Sequence, residues 1–177
     1  MAARPFALSL SPAQRFVLGC MLAGNGLAFG MGAAALCTPA WSPLRAIDPL
    51  FLWAYAMIPI GLWLPLLVAV RASQRFLDAA QIAGQTQGLP VEAQVLQNTL
   101  EQTVIAALAA ALLAISHAPA VVNLLLALAA GFAGGRLLFW WGYRRQPLAR
   151  ALGFWLTFGS SLFAYGYAAW FMLRAIR

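Results

Sequence analysis

Apolar residues fall into five long runs: residues 16–37, 50–70, 95–115, 120–141 and 151–173. Each is continuous rather than alternating, which argues against membrane strands of about ten alternating residues. Each also reaches the roughly 20 residues that a helix needs to cross a bilayer. The pattern predicts an all-α integral membrane protein spanning the bilayer about five times.

The polar positions mark the connections. Residues 38–49 form a Pro-containing loop. Residues 71–90 are the longest polar stretch, punctuated by Gly84, Gly88 and Pro90, with Pro90 placed to start the next helix. His117-Ala118-Pro119 is so short a link that the third and fourth spans should form an antiparallel hairpin. Residues 142–150 form a second polar loop. The first apolar run is long, and Thr38-Pro39-Ala40-Trp41 offers no small-residue cleavage site, so it is expected to be a span rather than a signal peptide.

Composition agrees: 63% of the 177 residues are hydrophobic and 8% are charged, against about 25% charged in soluble domains. The net charge is +7, and all eleven basic residues are arginine. These arginines lie at segment ends rather than on one polar stripe, which favours basic loops beside spans over a nucleic-acid surface. With the N-terminus inside, Arg4, Arg15, Arg71, Arg75, Arg144, Arg145 and Arg150 fall on the cytoplasmic side, and Arg45, Arg174 and Arg177 on the other. That asymmetry predicts a cytoplasmic N-terminus.

Some polar residues sit where lipid disfavours them. Glu101 is the only acid well inside a predicted span, and Gln94, Asn98 and Glu101 share a helix face through spacings of four and three. Ionisable groups at such depth usually face the bundle interior and mark function. The competing reading is interhelical hydrogen bonding that only holds the bundle together. Arg136 lies in the fourth span, seven residues before Tyr143, or roughly 10 Å deep at the helical rise. Glu101 lies roughly 16 Å from the same side by the same rise, so the two are expected to meet, directly or across a subunit boundary. The alternative for Arg136 is a side chain that snorkels to the headgroups. Tyr143 shares its face, and Arg150 opens the fifth span.

Other candidates are weaker. Cys20 and Cys37 lie on one predicted helix, too far apart to bridge each other. His117 is a lone histidine, and no cluster has zinc-ligand spacing, so no metal site is expected. Trp140, Trp141, Trp155 and Trp170 fit an interfacial aromatic belt.

The run Leu96-Gln97-Asn98-Thr99-Leu100-Glu101-Gln102-Thr103, with Gly135-Arg136 and Tyr143, resembles the MAPEG superfamily, the membrane-associated proteins of eicosanoid and glutathione metabolism. The small bacterial branch is the most similar, which implies a bacterial inner membrane as the location. The resemblance covers roughly residues 50–174 and implies a MAPEG-like four-helix transmembrane domain over residues 46–177. One extra N-terminal transmembrane helix and its loop then occupy residues 1–45. It also implies a homotrimer that binds glutathione, as co-substrate, between neighbouring subunits. By position, Arg71, Gln94, Asn98, Glu101, Arg136 and Tyr143 correspond to glutathione-binding residues. Arg150 corresponds to the catalytic arginine that stabilises the thiolate. The chain departs from the pattern of catalytic members at Gln94, where an arginine is common, and at Phe154, where some members have tyrosine.

The residues suit that chemistry. Arginines pair with carboxylates, Glu101 suits an ammonium or amide, and a nearby cation raises the thiolate fraction of a thiol. Lipophilic small-molecule electrophiles dissolve in membrane lipids, where such a site would meet them. The expected function is therefore a glutathione-dependent transferase or peroxidase. A non-catalytic scaffold or binding protein, keeping the polar cluster for assembly alone, is the alternative. A small transporter fits less well, because no second polar span or pair of broken helices is present.

Overall fold

A computed structural model describes residues 10–39, 47–77, 91–146 and 148–176. Six helices make up these segments: α1 (Pro12–Cys37), α2 (Pro49–Gly61), α3 (Trp63–Leu77), α4 (Val91–Ile115), α5 (Val121–Arg145) and α6 (Arg150–Ala175). Their ends follow from local chemistry. Ser11 caps α1 through a reciprocal pair with Gln14, and Pro12 occupies the first turn, where its missing N–H costs nothing. Asp48 caps α2 by accepting from the Leu50 N–H at 2.7 Å, again with a proline next. The polar stretch expected over residues 71–90 begins on α3, and its later part, with Pro90, lies outside the described residues.

The second apolar run is interrupted at Leu62. Pro65 has no N–H for the Gly61 carbonyl one turn back, and its ring crowds that position. The chain still continues in one direction, and residues 49–74 are apolar enough to cross as one span.

Among the described residues four helical segments are long and apolar enough to cross a membrane: Pro12–Cys37, Pro49–Gln74, Val91–Ile115 and Val121–Arg145. The remaining helix, α6, has 26 residues, about 39 Å at the helical rise, against a hydrocarbon core of about 30 Å. Its polar Thr157, Ser160 and Ser161 are buried against the bundle, and each donates its hydroxyl to the carbonyl one turn back. Large apolar side chains point outward instead, among them Leu22, Phe51, Leu62, Leu126 and Leu173. A surface of this kind is stable in lipid and not in water. The protein is an all-α integral membrane protein.

The core lies between α2, α4, α5 and α6 around Ile60, Leu113 and Phe132, with Ala106, Ala109 and Ala110 letting the backbones approach. Helix α1 buries Gly24, Ala28, Gly32 and Ala35, one small residue per turn, and the first three pack on α6. The amide of Asn123 on α5 donates to the last carbonyls of α1, at Ala35 and Thr38, satisfying groups that a helix end leaves open. At the opposite end of the bundle the start of α4 meets the end of α5, through a 3.3 Å ion pair between Glu92 and Arg144. That end carries the candidate site.

Candidate functional site

Two glycines allow the helices of the site to touch. A Cβ on Gly135 of α5 would lie 2.2 Å from Thr157 Oγ1, and one on Gly153 of α6 would lie 2.2 Å from the Phe139 backbone nitrogen. Only a hydrogen fits at either place. The close crossing puts Arg136, next to Gly135, against α6 and α4 at once.

Arg136 is 1% exposed. Its Nε and Nη2 donate to Thr157 Oγ1 at 3.2 and 3.0 Å, and its Nη1 donates to Asn98 Oδ1 at 2.9 Å. Thr157 spends its own proton on the Gly153 carbonyl at 2.9 Å, so both of its lone pairs serve the guanidinium. Phe139 and Phe132 flank the cation, with its central carbon 4.7 and 5.8 Å from their ring centres. Among the described residues no carboxylate lies within ion-pair distance of it. Arginine only donates, so Asn98 must turn its oxygen toward Arg136 and its NH2 away.

Asn98 also lines a cavity of about 520 Å³. Gln94, Asn98, Glu101, Tyr143 and Arg150 line it, together with Phe139, Phe154 and Trp155. The hydroxyl of Tyr143 donates to Gln94 Oε1, joining the end of α5 to the start of α4. The guanidinium of Arg150 stacks over the Tyr143 ring, 4.4 Å from its centre. Gln97 donates to Glu101 Oε1 at 3.4 Å. One wall of the cavity thus supplies a cation, another a carboxylate, and amides lie between them.

The polar face expected from the spacing of Gln94, Asn98 and Glu101 does converge on one space, and Tyr143 and Arg150 join it. Arg136 stands behind Asn98 rather than on the cavity wall, and Arg71 is half-buried on α3, also outside the lining. The direct meeting of Arg136 with Glu101 does not occur within the chain. Among the described residues Asn98 and Thr157 accept from all three guanidinium nitrogens, while Glu101 is exposed on the cavity lining. Arg136 does not snorkel either. Trp155, expected in the interfacial belt, packs its Cβ against Gly24 of α1 and lines the cavity. Sequence reasoning missed Thr157, and the available signal was Gly135 beside Arg136 with Gly153 one turn before Thr157.

A model of the MAPEG family matches residues 50–170. The chain belongs to the MAPEG family. No curated protein and no solved structure matches it. The matched residues of this MAPEG protein run from α2 into α6 and include every polar residue of the cavity. Helix α1 lies outside the match, although its Val17 also lines the cavity.

Proposed function

We propose that this MAPEG protein is a membrane-bound glutathione-dependent transferase or peroxidase acting on lipophilic electrophiles. The observation that carries the reading is the convergence of Arg150, Tyr143, Gln94, Asn98 and Glu101 on one cavity. Glutathione has two carboxylates, an ammonium, two amides and a thiol. Arg150 offers a carboxylate partner or a cation for the thiolate. Glu101 takes the ammonium, and the amides of Asn98 and Gln94 take the peptide groups. Arg136 acts through Asn98, holding its NH2 toward the ligand. Arg71 contributes from α3.

Bound glutathione supplies a sulfur nucleophile that forms a bond to an electrophilic carbon while the leaving group departs with its electron pair. With a hydroperoxide, two glutathiones are oxidised to the disulfide as the peroxide is reduced to alcohol and water. Arg150 stabilises the thiolate in either case. Phe139, Phe154 and Trp155 give the cavity apolar walls on which a lipophilic partner can lie.

Assembly as a homotrimer fits the same picture. Glu101 is exposed on a transmembrane helix, beside the exposed Leu100, Val104 and Leu108. A carboxylate facing lipid is costly, and a neighbouring subunit both covers it and closes the cavity. We place the start of α1 and the cavity on the cytoplasmic side of a bacterial inner membrane, following the arginine asymmetry. Residues 1–45 then add one helix to the four-helix unit of residues 46–177.

A second reading, a non-catalytic scaffold, draws on one observation: each guanidinium nitrogen of Arg136 already has a protein partner in Asn98 or Thr157 without a ligand. Calorimetry of glutathione binding to the purified protein separates the two. Saturable binding that glycine and free cysteine do not reproduce is expected, and its absence would favour the scaffold.

A further inference from the structure

Outside the cavity, two helix ends carry the same pair of side chains. On α5 the guanidinium of Arg145 lies over the Trp141 ring, 4.3 Å from its centre. On α6 the guanidinium of Arg174 lies over the Trp170 ring, also at 4.3 Å. Each arginine reaches back four residues along its own helix, a spacing that puts both side chains on one face. Both rings and both arginines are exposed, and none of the four lines the polar cavity.

The two pairs sit one bilayer core apart. A Cβ on Gly142 would lie 2.6 Å from the Ala149 carbonyl oxygen and 2.9 Å from the Arg150 nitrogen, so the neighbouring Trp141 is level with the start of α6. From Arg150 to Trp170 that helix rises about 30 Å, which matches a hydrocarbon core of about 30 Å. Each indole thus lies at an edge of the hydrocarbon, and each guanidinium lies one turn further out, among the headgroups.

Stacking on a ring leaves the N–H edge of a guanidinium free to donate. Arg144, beside Arg145, is committed elsewhere: it lies over Trp140 and pairs with Glu92 at 3.3 Å. Among the described residues no carboxylate pairs with Arg145 or Arg174. A cation held on a lipid-facing ring, with its donor edge open at headgroup depth, matches a phosphodiester that accepts two parallel N–H bonds. The surrounding charge differs between the two ends. Near Arg145 the same end of the bundle carries Arg15, Arg71, Arg144 and Arg150, against Glu92 and the deeper Glu101. At the Arg174 end, among the described residues, Asp48 offsets the single arginine.

We propose that the Arg145–Trp141 pair binds the phosphate of an anionic phospholipid headgroup, whereas the Arg174–Trp170 pair at the other surface takes a zwitterionic headgroup equally well. The inference does not depend on what the polar cavity binds.

Native mass spectrometry of the full chain in mild detergent tests it, with dioleoyl phosphatidylglycerol and dioleoyl phosphatidylcholine as probes. Wild type should retain phosphatidylglycerol more tightly than phosphatidylcholine. Arg145→Gln should weaken phosphatidylglycerol binding by about fivefold, the worth of one arginine at an anionic surface, and leave phosphatidylcholine binding unchanged. Trp141→Leu, which removes the platform and keeps the charge, should weaken it as well, and Arg174→Gln should leave the preference intact. Equal retention of the two lipids by wild type, or the same preference in Arg145→Gln, would overturn the inference. An equal loss in Arg145→Gln and Arg174→Gln would overturn it too, since diffuse surface charge would then account for the binding. Weakened subunit association in Arg145→Gln with lipid retention unchanged would show that a second copy covers the pair, again contradicting it. Displacement of the lipid by inorganic phosphate alone would assign the pair to free anions instead and remove the headgroup site.

Discussion

Arg136 donates to Asn98 across the contact between α5 and α4, at 2.9 Å from Nη1 to Oδ1. The bond fixes which end of the Asn98 amide meets the cavity. The arginine itself is held from behind by Thr157 on α6. Three helices therefore contribute to the orientation of one ligand-facing NH2.

Thr157→Val should expose that dependence. Valine keeps the shape but removes the acceptor for two guanidinium hydrogens inside the bundle. Leaving buried donors unpaired costs about 1–3 kcal/mol. The variant should unfold at lower temperature in detergent and bind glutathione more weakly, while Thr157→Ser restores both. Thermal unfolding with parallel calorimetry is the measurement. Unchanged glutathione affinity in a folded Thr157→Val protein would disconnect Arg136 from the ligand.

Much of this was legible in the sequence, for physical reasons. A membrane helix must satisfy its backbone internally, so each apolar run maps onto a helix with little freedom. The run at residues 95–115 lies within α4, and that at 120–141 corresponds to α5. The i, i+4, i+7 spacing of Gln94, Asn98 and Glu101 likewise fixes a shared face whatever surrounds it. Tertiary pairing was not legible. Nothing in the spacing of Arg136 says whether Glu101 or Thr157 will meet it, because that depends on how closely α5 and α6 cross. The break at Leu62 was visible in Pro65 but hidden by the continuity of the apolar run. The docking of α1 depends on small residues, which an apolar average does not distinguish from lipid-facing ones.

Topology is testable by reporter fusions. Arg71 lies on α3, Arg144 and Arg145 end α5, and Glu92 is in the first turn of α4. Fusions at Gln85, which lies outside the described residues, and at Arg145 should report the cytoplasm. A fusion at Asp48 should report the opposite side. A cytoplasmic Asp48 would invert the membrane and move the cavity away from cytosolic glutathione.

Oligomeric state tests the account of Glu101. Its carboxylate is exposed on α4, with the Gln97 amide beside it at 3.4 Å. The protein should run as a homotrimer by native mass spectrometry in mild detergent. Glu101→Leu should shift it toward monomer or lower its thermal stability. A trimer with normal glutathione affinity in Glu101→Leu would show that the carboxylate serves neither assembly nor binding.

Arg150 separates structure from chemistry, and the central claim turns on it. Its guanidinium is half-buried over the Tyr143 ring at the mouth of the cavity, so folding should need it little. A free thiol has a pKa of about 8.5, and each unit of depression corresponds to about 1.4 kcal/mol. The decisive measurement is a pH titration of ultraviolet thiolate absorbance, with glutathione bound to wild type and to Arg150→Ala. The account predicts a depressed thiol pKa in wild type. In Arg150→Ala it predicts a return toward the free value, with the oligomer and most glutathione affinity retained. An identical thiolate pKa in the two proteins, or no bound thiolate in wild type at neutral pH, would contradict it.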